Sequence, residues 1–103
     1  MGWASAALAR LQQGHVVTLR PRGHSMAGRV NDGDLVTVEP LGERELRAGD
    51  VVLVRVRGRG YLHLVKAIQG GRALIGNTRG GLNGWVGRSA IVGIATQITP
   101  AQG

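Results

Sequence analysis

Short runs of valine and leucine, separated by turns that contain glycine, are the feature that most limits the folds open to this chain. The strongest run extends from Val51 to Val56, and Gly49 and Gly58 bound it. Short runs rich in β-branched side chains between glycines are typical of strands. Eighteen glycines among 103 residues, with no phenylalanine, indicate many turns and an aliphatic interior. We therefore expect one mainly β domain, since the length suffices for a single core.

The same pattern predicts six or seven strands in succession, and two of the turns share a Gly-Asp pair, Gly33-Asp34 and Gly49-Asp50. Residues 76–89 are predicted to be an irregular loop with Trp85 as its anchor. The predicted strands cover residues 15–20, 35–39, 51–56, 61–69, 73–75 and 90–98.

The N-terminal stretch has a different period. Apolar residues at positions 3, 7, 8 and 11 follow one helical face, and Gly14 is placed to end the helix as its C-cap. The expected organisation is a short helix over 1–14, either part of the domain or appended to it. A β domain over 15–99 and a disordered tail over 100–103 complete it.

Charge and composition restrict the classes of partner and cofactor. The net charge is +7, all six carboxylates lie between residues 32 and 50, and twelve of the thirteen cations are arginine. An arginine-rich face could hold nucleic acid, although the aromatic residues that stack on bases are scarce. There is no cysteine and no pair of histidines at metal-ligand spacing, so no metal or other cofactor is predicted. The longest apolar run is too short for a transmembrane segment, and we expect a cytoplasmic protein.

The stretch that suggests chemistry is the loop around Ser25, which follows Gly23 and His24. A serine at a sharp bend is a candidate nucleophile, and it needs a base that accepts its proton at neutral pH. The sequence offers three histidines and one lysine: His15, His24, His63 and Lys66. His24 is adjacent to the serine, where side chains diverge, and nothing in the sequence returns His15 towards it.

His63 and Lys66 both fall in the predicted strand 61–69. Strict alternation puts His63 on one face with Tyr61 and Val65, and it puts Lys66 on the other. Only one of the two can then point at Ser25, and a bulge of one residue would exchange the face of Lys66.

Six short motifs occur in one order along most of the chain, roughly residues 17–97. They are Gly23-His24-Ser25-Met26, Asp32-Gly33-Asp34-Leu35-Val36, Ala48-Gly49-Asp50-Val51-Val52, Tyr61-Leu62-His63, Leu74-Ile75-Gly76-Asn77 and Ile91-Val92-Gly93. This ordered set resembles the catalytic domain of the LexA repressor and signal peptidase superfamily of serine peptidases. The resemblance implies a mainly β fold of coiled antiparallel sheets and hydrolysis of peptide bonds by a Ser–Lys or Ser–His dyad.

Carried onto this chain, the resemblance makes Ser25 the nucleophile and His63 the general base, with Lys66 as the alternative base. The oxyanion hole would use backbone N–H groups at Ser25 and His24. Gly76 is followed directly by Asn77 where the family pattern has an aspartate between them, and no carboxylate exists after Asp50. Asn77 is therefore the candidate to orient the His63 ring.

Three hypotheses remain open. The first is a serine endopeptidase that cuts an extended peptide in a protein leader, in a linker or in its own N-terminal segment. The second is a catalytically degenerate member of the same fold that binds a peptide or partner protein. The third is a small β-barrel that holds nucleic acid on its arginines.

Overall fold

A computed structural model of the chain describes residues 3–22 and 26–101, with side chains from Ser5 onward. One helix, seven strands and a short 3-10 turn at Arg88–Ala90 make up the regular structure of these residues. The elements are α1 (Trp3–Gln12), β1 (Val17–Leu19), β2 (Leu35–Pro40), β3 (Val51–Val56), β4 (Arg59–Gln69), β5 (Arg72–Gly76), β6 (Leu82–Gly87) and β7 (Ile91–Thr99). The seven strands form one antiparallel sheet in the order β1-β2-β7-β3-β4-β5-β6.

This architecture confirms the mainly β prediction with one short N-terminal helix. The helix ends as expected, because Gly14 has a positive φ of 89° and its N–H donates to the carbonyl of Leu11. The next amide, at His15, donates to the carbonyl of Arg10, which completes a Schellman motif.

The prediction of an irregular loop over residues 76–89 is wrong, because β6 lies within it. This strand holds two glycines and no fully buried residue, so it carries no clear period-2 signal. Trp85 is not an anchor either, since it is 42% exposed. Its neighbour Val86 pairs with the buried Ala73 and packs against the core, so alternation directs Trp85 to the opposite face.

Hydrophobic clusters form on both faces of the sheet. The first cluster joins α1 and β1 to one face of β3 through Val51 and Leu53. The second lies on the other face of β3, where Val52 and Val54 pack with Ile75. Because β3 is buried on both faces, its valine and leucine run is nearly continuous rather than alternating.

The two Gly-Asp turns have the same geometry, and they directly precede β2 and β3. In the first, the carboxylate of Asp34 accepts the N–H of Asn31 at 2.8 Å, and Gly33 has a φ of 88°. In the second, Asp50 accepts the N–H of Arg47 at 2.8 Å, and the preceding glycine has a φ of 100°. Asp34 is only 4% exposed and also accepts the N–H of Ala101, which holds the chain after β7 against this turn.

Candidate active site

Ser25 and His24, the predicted nucleophile and its oxyanion partner, lie outside the residues that the structure describes. The chain that follows them is well fixed. Met26 is buried in the first hydrophobic cluster, and its carbonyl accepts the N–H of Val30 at 2.7 Å. The N–H of Gly28 donates to the side chain of Asn31 at 3.0 Å, so residues 26–31 form a compact turn.

His63 lies in the middle of β4, opposite Val52 of β3. Its ring is half-buried and stacks on Tyr61, with 5.9 Å between the ring centroids and an angle of 23° between the planes. Burial lowers the pKa of His63 from its usual 6.5, while a hydrogen bond to the backbone of Gly76 acts in the opposite direction. The ring is therefore neutral at pH 7, which is the state that a general base requires.

Asn77, the predicted orienting residue, uses its side-chain oxygen within its own loop. That oxygen accepts the N–H of Arg79 at 2.8 Å and the N–H of Gly81 at 2.9 Å. The loop is tight, because a Cβ on Gly76 would lie 2.1 Å from the carbonyl oxygen of Gly81. Asn77 thus shapes the segment from which the Gly76 backbone contacts His63.

Thr78 links this segment to the loop that follows Ser25. Its hydroxyl donates to the carbonyl of Ala27 at 2.8 Å, across 51 positions of sequence. The segment 76–78 therefore contacts both His63 and the chain two residues beyond Ser25. Sequence reasoning missed Thr78 because a lone threonine after a glycine turn carries no local sign of a partner so far away.

Lys66 lies at a bulge in β4. Val65 pairs with Ile75 and Ala67 pairs with Leu74, so Lys66 is the extra residue between two registers. The strict alternation assumed from the sequence is broken at this position. The sequence kept Lys66 as an alternative base on the condition that its strand contains a bulge, and the strand does contain one at this residue.

An open cavity of about 760 Å³ lies beside His63. Its walls come from the β3–β4 hairpin on one side and from β5 and β6 on the other. The lining residues include Arg57, Arg59, Tyr61, His63, Ile75 and Asn83. The predicted base therefore borders a concave surface large enough for several side chains of a peptide.

Comparison with protein families identifies a matching family. The family model described as Peptidase S24-like matches residues 3–77, which is most of the chain. The chain belongs to the Peptidase S24-like family. The matched segment contains Ser25, His63 and Lys66, and it ends at Asn77, before β6 and β7. No curated protein sequence gives a significant match.

Within residues 3–22 and 26–101, no three side chains of His, Asp or Glu come together as metal ligands would. The helix in the described part of the chain is too short to cross a lipid bilayer.

Proposed function

We propose that this S24-like domain is a serine endopeptidase in which Ser25 is the nucleophile and His63 is the general base. The observation that carries the proposal is the position of His63. The ring is half-buried and neutral, borders a cavity, and contacts a segment that also holds the chain after Ser25.

The chemistry proceeds in two halves. The Ser25 oxygen bonds to the carbonyl carbon of the substrate while His63 takes the hydroxyl proton, and the backbone N–H groups of Ser25 and His24 stabilise the oxyanion. His63 then gives the proton to the departing amine, which leaves an acyl-enzyme. Water attacks the acyl carbon, His63 accepts the proton from the water, and the carboxylic acid product leaves as Ser25 regains its proton.

The positions of the two candidate bases along β4 favour His63 over Lys66. Gly76 pairs with Leu64, next to His63, whereas the bulge at Lys66 lies beside Leu74 and Ile75. The Thr78–Ala27 hydrogen bond is made beyond Gly76, at the His63 end of β5. The hydrogen bond that holds the chain after Ser25 is therefore made nearer to the level of His63 than to the level of Lys66 along the sheet, which supports His63 as the base.

His63 works without a carboxylate partner in this proposal, because the sequence has none after Asp50. The Gly76 backbone and the Tyr61 ring orient the imidazole instead. A neutral carbonyl stabilises the imidazolium less than a carboxylate does, and loss of the carboxylate in serine proteases costs about four orders of magnitude in rate. We therefore expect a slow enzyme, suited to a single cut in a chosen protein rather than to bulk digestion.

The proposed substrate is an extended peptide, either in the leader or linker of another protein or in the N-terminal segment of this chain. An extended peptide presents its backbone groups to strand edges and its alternate side chains to pockets. The cavity beside His63 provides such a pocket.

Labelling with a fluorophosphonate probe tests the proposal, because the probe reacts with an activated serine and needs no knowledge of the substrate. We expect the wild-type protein to be labelled and the Ser25→Ala and His63→Gln variants not to be. His15→Gln is the matched control, since it makes the same substitution outside β4 and the cavity.

Two outcomes would overturn the proposal. Loss of labelling in Lys66→Met but not in His63→Gln would identify the lysine at the bulge as the base. A folded wild-type protein that the probe does not label would mean that Ser25 is not activated, as expected for a catalytically degenerate member of the same fold.

A further inference from the structure

The cavity beside His63 is basic and contains no acid. Arg57 and Arg59 both line it. Neither guanidinium has a carboxylate partner, since among residues 3–22 and 26–101 the only ion pair joins Arg44 and Glu39. No residue after Asp50 is acidic, so no carboxylate can come from β4, β5 or β6. The cavity therefore offers positive charge that the described residues leave uncompensated.

Arg59 and the proposed base His63 lie on the same face of β4. Arg59, Tyr61 and His63 alternate along the strand and share the face that borders the cavity. Arg59 and His63 are four residues apart, which is about 13 Å along a strand. An extended peptide rises by the same distance per residue, so a side chain that meets Arg59 lies within about four residues of the bond at His63.

Arg57 adopts a backbone conformation that arginine disfavours. Val56 pairs with Arg59, so Arg57 and Gly58 form a two-residue hairpin turn with φ values of 52° and 79°. Such a turn favours asparagine, aspartate or glycine at its first position. Arg57 is the one non-glycine residue with a positive φ in the described part of the chain. Strain of this kind occurs at functional sites, and here it accompanies a cation in the wall of the cavity.

A second bulge brings a polar side chain to the opposite wall. Ile75 pairs with Gly84 and Gly76 pairs with Leu82, so Asn83 is the extra residue of β6. Bulges redirect side chains, and Asn83 lines the cavity facing the β3–β4 hairpin. Its amide can donate to a carboxylate that the arginines attract.

We propose that this cavity is a specificity subsite for an acidic side chain, so that the preferred peptide carries Asp or Glu within about four residues of the scissile bond. The inference rests on the proposed peptidase function, because it is the bond at His63 that defines the position of the acid. Arg57 and Arg59 bind the carboxylate, and Asn83 completes the site.

A peptide suits this cavity better than a nucleic acid does. Binding of single strands needs exposed aromatic faces on which bases stack. Tyr61 is the aromatic residue of the lining other than His63, and its ring already stacks on the histidine. The basic charge is also confined to one end of a cavity that reaches the proposed base, as recognition of one acidic side chain requires.

The test measures binding in a Ser25→Ala background, so that no peptide is cut. The probes are two fluorescein-labelled alanine-rich peptides that differ only in having two glutamates or two glutamines. By anisotropy at low salt, we expect the glutamate peptide to bind more tightly, and Arg59→Gln to weaken that binding about tenfold. The glutamine peptide is expected to bind Arg59→Gln and its Ser25→Ala parent equally.

Two further variants separate recognition from net charge and from folding. Arg55→Gln removes the same charge from the same hairpin, but Arg55 lies on the face of β3 that points away from the cavity. We therefore expect this variant to show no preferential loss of binding to the glutamate peptide. Arg57→Gly relieves the strained turn, so it should raise the midpoint of thermal unfolding. The same variant should weaken binding of the glutamate peptide.

Three results would overturn the acidic subsite: equal binding of the two peptides, an equal effect of Arg55→Gln and Arg59→Gln, or tighter binding of a single-stranded oligonucleotide than of the glutamate peptide. None of these depends on hydrolysis. The fluorophosphonate test of Ser25 does not depend on an acidic ligand, so the two proposals can fail separately.

Discussion

Burial and a backbone hydrogen bond are the two influences on the His63 ring, and they act on its pKa in opposite directions. Burial dominates and lowers the pKa below 6.5. The folded protein therefore resists protonation of this ring more than the unfolded chain does.

The stability of the protein should depend on pH through His63. Well above pH 6.5 the ring is neutral in both states and contributes no pH dependence. As the pH falls, the unfolded chain binds a proton first, so the free energy of unfolding decreases until the folded-state pKa is passed. Denaturant unfolding at neutral and acidic pH should show a larger decrease for wild type than for His63→Gln. An equal decrease in both proteins would contradict the burial of the ring.

Thr78 is expected to act as a positioning residue through its hydrogen bond to Ala27. Thr78→Val keeps the shape of the side chain but loses the hydroxyl, which should cost about 1 kcal/mol of stability. It should also slow the labelling of Ser25 by the fluorophosphonate probe, because the adjacent loop is less well held. Thr78→Ser retains the hydroxyl and should restore the rate. If the serine variant is as slow as the valine variant, the hydrogen bond is not what positions the loop.

At the scale of elements, the sequence predicted what local patterns encode. The Schellman end of α1 and the Gly-Asp turns before β2 and β3 depend on residues close together in the chain, and each was recognisable. Edge strand β6 was missed because pairing with β5, not its own composition, makes it a strand. The bulge at Lys66 could be considered but not located, because the register of β4 is set by β5, which follows later in the chain.

The candidate site also has some features that local sequence predicts and others that depend on residues far apart in the chain. The place of His63 in a strand, and its candidacy as the base, could be predicted from its motif. The contribution of Gly76 and the link from Thr78 to Ala27 could not, because both join residues distant in sequence. Which residues line the cavity depends on how far the sheet coils, and a single sequence does not encode that locally.

The approach of α1 to the sheet depends on Gly93 of β7. A Cβ at this position would lie 2.6 Å from Val38 and 3.1 Å from Leu11, a residue of the helix. We expect Gly93→Ala to lower the free energy of unfolding by about 1–3 kcal/mol, because the packed core must shift. Gly87→Ala is the matched control, since Gly87 has a φ of −76° and an added Cβ would meet only Ser89 at 4.0 Å. Urea denaturation that shows equal effects would contradict the close approach.

At the scale of the whole molecule, β3 belongs to both hydrophobic clusters. Leu53 faces the first and Val54 faces the second, and both side chains are fully buried. A central strand shared in this way couples the two faces, so we expect the domain to unfold in one transition.

Truncation of one residue in each cluster tests this coupling. Leu53→Ala and Ile75→Ala should each cost about 2–5 kcal/mol, because each removes a fully buried side chain. Circular dichroism and tryptophan fluorescence should report the same shifted midpoint for each variant. A second transition in either variant would show that the clusters unfold independently.

The bulge in β4 also affects which changes of length the strand can accept. Val65 and Ala67 already face consecutive partners on β5, so a chain that lacks Lys66 can continue the ladder with every later side chain on its present face. Removal of a regularly paired neighbour such as Val65 preserves those faces only if Lys66 moves into the vacated position, which would put a charged side chain where a buried valine now lies. Lys66 is therefore the residue whose loss shortens the strand without replacing a paired side chain.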